Sequence, residues 1–121
     1  MISRVEITLN FDCNDLDRME AFWCAVLGYR RRGAIGPYRA YAPGSGEGPK
    51  LVLQLVPEAK RAKNRLHLDL DHPVDFDIEA EAERLEALGA RRVSGVIEEI
   101  ENAAWIVMAD PEGNEFCVCR G

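Results

Sequence analysis

The sequence contains two similar halves, and this internal repeat restricts the possible folds more than any other feature. Arg4–Leu9 (RVEITL) resembles Arg65–Leu70 (RLHLDL), and Val26–Gly33 (VLGYRRRG) resembles Ala87–Gly95 (ALGARRVSG). Both pairs are separated by the same offset of 61 residues. Two motifs that recur at one offset indicate two copies of one supersecondary unit.

The repeat predicts two modules within one domain. A chain of 121 residues has the length of a single domain. We predict one domain over residues 1–121, with module one at about 1–58 and module two at about 64–121. The charged segment Pro57–Asn64 (PEAKRAKN) is interpreted as the linker between them.

Module one has the pattern of a strand, a helix and three further strands. Apolar residues alternate with polar ones from Val5 to Phe11, which predicts a strand with one apolar face. Asn14 or Asp15 is expected to cap a following helix, and Gly28 to end it. The remaining strands are predicted at Tyr29–Ile35, Pro37–Pro43 and Pro49–Pro57.

Module two repeats this βαβββ order. Leu66, Leu68 and Leu70 alternate with polar residues, Asp75 or Asp77 is the expected helix cap, and Gly89 is the expected helix end. The last strands are predicted at Arg91–Ile100, Asn102–Asp110 and Asn114–Arg120, with Asp110–Asn114 (DPEGN) as a type I turn before the last.

Composition excludes several classes of partner. The net charge of −6 and pI near 4.9 argue against binding to nucleic acid or to an anionic membrane. No apolar run approaches the roughly 18 residues of a membrane span. The first residues lack the pattern of a signal peptide, so we expect a cytoplasmic protein whose four cysteines stay reduced.

Several motifs of the repeat resemble those of the vicinal oxygen chelate superfamily, and most closely its glyoxalase-like, bleomycin-resistance-like domains. The similar pieces are Phe22-Trp23, Leu27-Gly28, Asn64–Leu70 (NRLHLDL) and Asp110–Phe116 (DPEGNEF). The resemblance implies an α+β fold in which two βαβββ modules form an eight-stranded, incompletely closed barrel, or cup. Helices would lie outside the cup, a small organic ligand would bind between the modules, and the protein would be a homodimer.

Strand periodicity predicts which side chains would face such a cup. Side chains alternate across a strand, so Val5, Ile7 and Leu9 should face the helix of module one, and Leu66, Leu68 and Leu70 that of module two. The predicted cup-facing residues are Glu6, Thr8, Asn10, His67, Asp69, Glu115, Cys117 and Cys119.

The resemblance also implies where metal-dependent members hold a divalent ion. Their ligands are a histidine or glutamate near the first strand of each module and a glutamate on its last strand. His67 matches one such position, and Glu6 is its counterpart in the repeat. Cys117 replaces the expected last-strand glutamate, and Glu115 lies one pleat away.

The module-one counterpart of that glutamate is Val52 or Gln54, and neither is a carboxylate. We therefore predict no functional metal. If Zn, Ni, Fe or Mn were bound, the ligands would be His67 and Glu6, with Cys117 or Glu115.

The remaining candidates have two interpretations each. His67 is either a general base or polar anchor for ligand, or a hydrogen-bonded histidine of the sheet. Cys117 and Cys119 are interpreted as small buried thiols in preference to a redox pair. Trp105, with Tyr38 or Tyr41, would form an aromatic wall or fill the core. The candidate ligand-binding residues are Glu6, Gln54, His67, Asp69, Trp105, Glu115 and Cys117.

Three functional hypotheses follow from these residues together with what the resemblance implies. In the first, the protein binds a small organic ligand in the cup without the full metal-ligand set, as a sequestering protein, a sensor or a metal-free enzyme. In the second, it is a metal-dependent lyase or ring-cleaving dioxygenase that uses His67 and Glu6. In the third, it is a non-catalytic interaction domain with a vestigial cup.

Overall fold

The computed structural model describes residues 4–121, which form two compact units. The first unit extends to Ala59 and the second runs from Lys60 to Gly121. Neither of the two helices in the described residues has the length and hydropathy needed to cross a membrane.

The first unit is a four-stranded mixed sheet with one helix. Its strand order is β1-β4-β3-β2, with β1 parallel to β4 and the other neighbours antiparallel. The elements are β1 (Thr8–Cys13), α1 (Leu16–Leu27), β2 (Tyr29–Ile35), β3 (Tyr38–Pro43) and β4 (Lys50–Leu55).

The second unit repeats this topology. Its strand order is β5-β8-β7-β6, and β5 runs parallel to β8. The elements are β5 (Leu68–His72), α2 (Ile78–Ala87), β6 (Arg91–Arg92), β7 (Ala104–Ala109) and β8 (Glu115–Arg120). The predicted α+β class with two βαβββ modules is therefore confirmed, and each sheet is open.

Each sheet is covered by its own helix on one face, which we call the helix-covered face. In the second unit Ile78, Ala82 and Leu85 of α2 are fully buried. The sheet residues buried with them alternate along β7 and β8, as the pleat requires: Ile106, Met108, Phe116 and Val118. The opposite side is the helix-free face, and it carries the intervening residues.

The predicted helix ends are confirmed at the first helix. Asp15 caps α1 by accepting a hydrogen bond from the Arg18 backbone N–H at 3.0 Å. Gly28 ends it with φ of 69°, a left-handed conformation that favours glycine, and its N–H donates to the carbonyl of Cys24. In the second unit Asp77 is the cap, and α2 ends at Ala87, two residues before Gly89.

The first strand of each unit begins later than its alternating pattern predicts. Val5 and Ile7 precede β1 and are 91% and 65% exposed, and Leu66 precedes β5 and is 79% exposed. These three residues therefore do not pack on a helix, and that prediction was wrong. The alternation of apolar and polar residues begins before the strand does, because a period-two pattern does not mark the residue at which the partner strand begins.

The predicted strand at Arg91–Ile100 is also wrong in length. Only Arg91 and Arg92 form β6, followed by one isolated bridge between Ile97 and Trp105. The backbone N–H groups of Val93 and Ser94 both donate to the carbonyl of Val107, so two residues face one and the ladder is interrupted.

A charged network links α1 to the sheet of the first unit. Glu20 receives two hydrogen bonds from Arg31, at 2.6 and 2.7 Å, and one from the Tyr41 hydroxyl at 2.8 Å. These partners, above all Arg31, hold the pKa of Glu20 below its ordinary value of 4.5. Burial and the hydrogen bond to Glu20 raise the pKa of Tyr41.

We expect Glu20→Gln to destabilise the protein by about 1–2 kcal/mol at neutral pH, because the network loses its carboxylate. The loss stays this small because the Arg31 side chain is partly exposed and water screens its charge. Since the pKa of Glu20 is lower in the folded state, its contribution is present above the ordinary carboxyl pKa. It disappears as the pH falls through the lower, folded value. Urea unfolding of both proteins over a pH series measures the difference in free energy.

Glu47→Gln is a suitable control, since Glu47 lies in the exposed loop before β4 and only its backbone N–H makes a described bond. It should change the free energy of unfolding by less than about 0.5 kcal/mol. A stability gap for Glu20→Gln that stayed constant from neutral pH to pH 3 would contradict the assignment.

The turn before the last strand is organised by one buried carboxylate. Asp110 is 3% exposed, and its carboxylate accepts from the backbone N–H groups of Glu112 and Asn114, at 2.9 and 3.0 Å, and from the Asn114 side chain. The Gly113 N–H donates to the Asp110 carbonyl at 2.9 Å, which closes the predicted turn. This turn sets the register of β8, and a slip of one residue would move Cys117 to the opposite face.

Asp110→Ala should destabilise the protein by about 2 kcal/mol, because two part-buried backbone donors would lose their acceptor. Asp110→Asn keeps one oxygen acceptor in place, so its loss should be clearly smaller. Chemical unfolding of the three proteins tests this order. An Asp110→Ala protein as stable as the wild type would show that the carboxylate does not organise the turn.

Candidate functional site

The parallel pairing of β5 with β8 builds the helix-free face of the second unit. Asp69 lies opposite Cys117, which lies opposite Val107 of β7. In the next row of this face Cys119 lies between Asp71 and Trp105. The predicted orientation of Asp69 and Cys117, away from α2, agrees with these pairings and with the burial of the intervening residues.

Three side chains that can bind a ligand or metal converge at this face. His67 stands one residue before β5, and its Nε2 lies 3.2 Å from Oδ1 of Asp69. One donor atom from each of His67, Asp69 and Cys117 lies within 4.8 Å of the others. The His67 and Asp69 side chains are 41% and 52% exposed, whereas Cys117 is 7% exposed. We call these three residues the His-Asp-Cys cluster.

The two cysteines of β8 are protonated thiols at neutral pH. Burial, and then the charge and hydrogen bond of Asp69, raise the pKa of Cys117 to about 11. Burial and the same carboxylate raise the pKa of Cys119 to about 12. Both are free cysteines. A thiol with so high a pKa is a poor nucleophile, so these residues do not have the environment of a reactive cysteine.

Glu115 shares a strand face with Cys117, but its carboxylate has other partners. It accepts hydrogen bonds from the Asn64 backbone N–H at 3.0 Å and from Lys60 Nζ at 3.2 Å. The bond from Asn64 is the main cause that lowers the pKa of Glu115. Glu115 therefore anchors Lys60 and Asn64, which belong to the segment before His67. Sequence reasoning missed this role, because nothing in the pattern indicates the partners of an isolated glutamate.

The candidates of the first unit are not brought together. Glu6 is exposed and precedes β1 by two residues. Gln54 pairs with Asp12 at the far end of β1, about 13 Å along the strand from Thr8. The 61-residue offset makes Thr8 the counterpart of Asp69. Thr8 pairs with Lys50, so an ammonium group lies opposite Thr8, whereas a thiol lies opposite Asp69.

The aromatic candidates divide between the two faces of their sheets. Trp105 pairs with Cys119 on the helix-free face and is diagonal to Cys117, about 7–8 Å away. Tyr38 pairs with Gln54 and is 44% exposed. Tyr41 is buried beneath α1 and bonded to Glu20, so it fills the core and is excluded from an aromatic wall.

A separate groove of about 490 Å³ lies at the other end of the second sheet. It is lined mainly by the residues before α2 and before β7, including Val74, Phe76 and Ile100, together with Arg120. The ion pair of Arg120 with Glu98 is long, at 3.9 Å. None of the ligand-binding candidates named from the sequence lines this groove. We therefore assign the candidate site to the His-Asp-Cys cluster, whose donor atoms lie within 4.8 Å of one another.

The ligand set implied for metal-dependent relatives does not fit the described residues. Within the second unit only His67 keeps its expected type, because Cys117 is a thiol and Glu115 is held by Lys60 and Asn64. Within the first unit the expected counterparts of the last-strand glutamate, Val52 and Gln54, are not carboxylates, and they pair with Asn10 and Asp12. The donors that do come together are an imidazole, a carboxylate and a thiol.

Comparison with solved structures identifies the fold. A protein of the glyoxalase/bleomycin resistance protein/dioxygenase family from Burkholderia phytofirmans PsJN has a TM-score of 0.78 and 17% identity, covering 93% of this chain and 95% of that one. The fosfomycin resistance protein FosX from Mesorhizobium loti has a TM-score of 0.75 and 21% identity, covering 100% and 94%.

A third similar structure carries ligands. It is a mutant of FosX from Listeria monocytogenes in complex with Mn(II) and 1S,2S-dihydroxypropylphosphonic acid. Its TM-score is 0.77 at 15% identity, and the match covers 98% of this chain and 90% of that one. At these identities the three structures establish a shared fold and leave function open.

Comparison of the sequence itself assigns the family. The profile of the glyoxalase-like domain matches residues 8–119, nearly the whole chain. A search of curated proteins gave no significant match. Together with the repeated βαβββ topology, the profile confirms the resemblance to the vicinal oxygen chelate superfamily, and the chain belongs to the glyoxalase-like domain family.

Proposed function

We propose that the protein binds a small, oxygen-bearing organic ligand at the helix-free face of the second sheet, without the four-ligand metal set of its metal-dependent relatives. The observation that carries the proposal is the convergence of His67, Asp69 and Cys117 within 4.8 Å. These residues come from β5, the residue before it, and β8, which are distant in sequence, and two of the three remain open to solvent.

The chemistry of the cluster suits hydroxyl and carbonyl groups. The imidazole of His67 can donate or accept, the Asp69 carboxylate accepts from a hydroxyl, and the Cys117 thiol is a weak donor. Trp105 offers a flat apolar surface one pleat away. A few convergent polar groups beside an aromatic side chain are typical of small-molecule sites.

One relative supports the class of ligand. The Listeria FosX complex contains dihydroxypropylphosphonic acid, a small molecule with two hydroxyl groups and an acidic group. That ligand belongs to that protein, and it supports the present proposal only by showing that this fold can hold such a molecule.

A metal-dependent lyase or dioxygenase is the second candidate function. The closeness of His67 to Asp69 and Cys117 favours metal binding, but with a different donor set from the predicted His67 and Glu6. No observation within either unit favours Glu6 as a ligand. The predictions of a cytoplasmic location and of a homodimer stay predictions.

Fluorescence of Trp105 tests the ligand proposal directly. The chain has two tryptophans, and Trp23 is a buried residue of α1, so Trp105 is the one placed to report on the site. We expect some members of a panel of vicinal diols, hydroxyketones, catechols and phosphonates to change the emission and to raise Tm, with EDTA present throughout. His67→Ala and Asp69→Asn should weaken binding by about 10-fold or more, which is the cost of losing a hydrogen bond to a charged group.

The matched control is His72→Gln, because His72 stacks on Phe76 and lies on the opposite face of β5 from Asp69. It should bind the same compounds with unchanged affinity. Trp105→Phe should abolish the fluorescence response while retaining the shift in Tm. If no compound of the panel shifts Tm in the wild type, or if His67→Ala binds as tightly as the wild type, the proposal fails and an interaction domain becomes the better hypothesis.

A further inference from the structure

We infer that the groove at the end of the second sheet is a second binding site, and that its ligand is a small zwitterion of the class of apolar α-amino acids. This inference goes beyond the proposed function and does not depend on it. The groove lies wholly within the second unit, and its lining contains one guanidinium, three carboxylates and several apolar side chains. Its volume of about 490 Å³ is within the range of small-molecule sites, roughly 300–1,000 Å³.

The groove opens on the helix-covered face, at the end of the sheet that α2 does not cover. Ala104 and Arg120 pair across β7 and β8, and both line the groove. By the alternation of the pleat they lie on the same face as Ile106 and Val118, which are buried with α2. The His-Asp-Cys cluster is on the helix-free face, so the two sites lie on opposite faces of one sheet.

Apolar side chains from two separate segments line the groove. Val74 comes from the segment before α2 and Ile100 from the segment before β7, and they are 60% and 63% exposed. The Phe76 ring stacks on the His72 imidazole, whose Nδ1–H donates to the Cys119 carbonyl at 3.1 Å. An apolar group of a ligand would remove part of this surface from water, which favours binding.

Hydrogen-bonded turns hold both segments in place. The Phe76 backbone N–H donates to the Pro73 carbonyl at 3.0 Å, and that of Ala103 donates to the Ile100 carbonyl at 3.1 Å. A site whose walls are ordered before binding loses less conformational entropy when the ligand enters.

The Arg120 guanidinium favours an anionic group in the ligand. Its side chain is 33% exposed and makes no side-chain hydrogen bond to the residues between 4 and 121. The nearest carboxylate oxygen, of Glu98, is 3.9 Å from its Nη2, beyond the roughly 3.2 Å of an ordinary N–H···O bond. A guanidinium can donate two parallel hydrogen bonds to a carboxylate. Arg120 therefore has donors available for the carboxylate of a ligand.

The acidic residues of the groove require a positive charge in the same ligand. Asp75, Glu98 and Glu101 line it, so a purely anionic ligand would meet three like charges. An α-amino acid carries its carboxylate and its ammonium group on one carbon atom, and Arg120 and Glu98 are likewise neighbours. The ligand carboxylate would bind Arg120 and the ammonium group would bind Glu98. The long, exposed pair that they replace contributes little to stability.

Calorimetric titration with compounds that share one apolar group tests the charge requirement. L-phenylalanine, phenethylamine and 3-phenylpropionate all carry a phenyl ring and differ in their charged groups. We expect L-phenylalanine to bind at one site per chain. The amine and the acid should each bind at least about 10-fold more weakly, because each lacks one hydrogen bond between charged groups. Glycine, which lacks the ring, should also bind at least about 10-fold more weakly.

Substitution of the two charged residues should give a crossed pattern. Arg120→Met should weaken binding of L-phenylalanine by at least about 10-fold without weakening that of phenethylamine. Glu98→Gln should weaken binding of L-phenylalanine and phenethylamine without weakening that of 3-phenylpropionate. A general loss of structure would instead weaken all three compounds.

Arg91→Met and Glu99→Gln are the matched controls, since each makes the same change in charge outside the groove. Arg91 pairs with Ala109 at the opposite end of β7, and Glu99 is exposed and does not line the groove. Both variants should bind L-phenylalanine with the affinity of the wild type.

The inference is overturned if neither L-phenylalanine nor L-leucine binds, or if the amine or the acid binds as tightly as L-phenylalanine. It is also overturned if the Arg120 and Glu98 variants keep the wild-type affinity, or if each weakens all three compounds equally. Glu98 lies in an exposed segment, so Glu98→Gln carries the test even if circular dichroism shows that Arg120→Met does not fold. These outcomes are separate from those of the panel tested at the His-Asp-Cys cluster, which lies on the other face.

Discussion

The parallel pairing of the first strand with the last strand is the constraint on which each unit depends. Parallel strands require a crossover, and here the helix and the two intervening strands supply it. In the second unit this pairing joins Asp69 to Cys117 across 47 intervening residues. Without it the candidate site would not exist, because its members come from opposite ends of the unit.

The same pairing explains which features of the fold could be predicted from sequence. The helix ends at Asp15 and Gly28 were predictable, since capping depends on residues that are neighbours in the chain. The starts of β1 and β5 were not, because each depends on its distant partner. β4 begins at Lys50, which pairs with Thr8, the first residue of β1. Val5 and Ile7 lie before Thr8, so they have no residue of β4 to pair with.

At the candidate site the sequence predicted faces correctly but not partners. Periodicity placed Asp69, Glu115 and Cys117 on one face, and the pairings agree. It could not show that Glu115 binds Lys60 and Asn64, while Asp69 remains beside His67. Those contacts arise from the path of the linker, which has no periodic pattern. Similarly, the isolated position of Glu6 follows from the late start of β1.

The two units differ most where the repeat would place equivalent chemistry. Across the parallel strands the second unit has Asp69 opposite Cys117, whereas the first has Thr8 opposite Lys50. A lysine ammonium repels a cation, and a threonine hydroxyl is a weaker metal ligand than a carboxylate. Two copies of one topology therefore carry different side-chain chemistry, and among residues 4–121 only the second unit brings an imidazole, a carboxylate and a thiol together. This asymmetry is the physical reason to place the candidate site within one unit of the repeat.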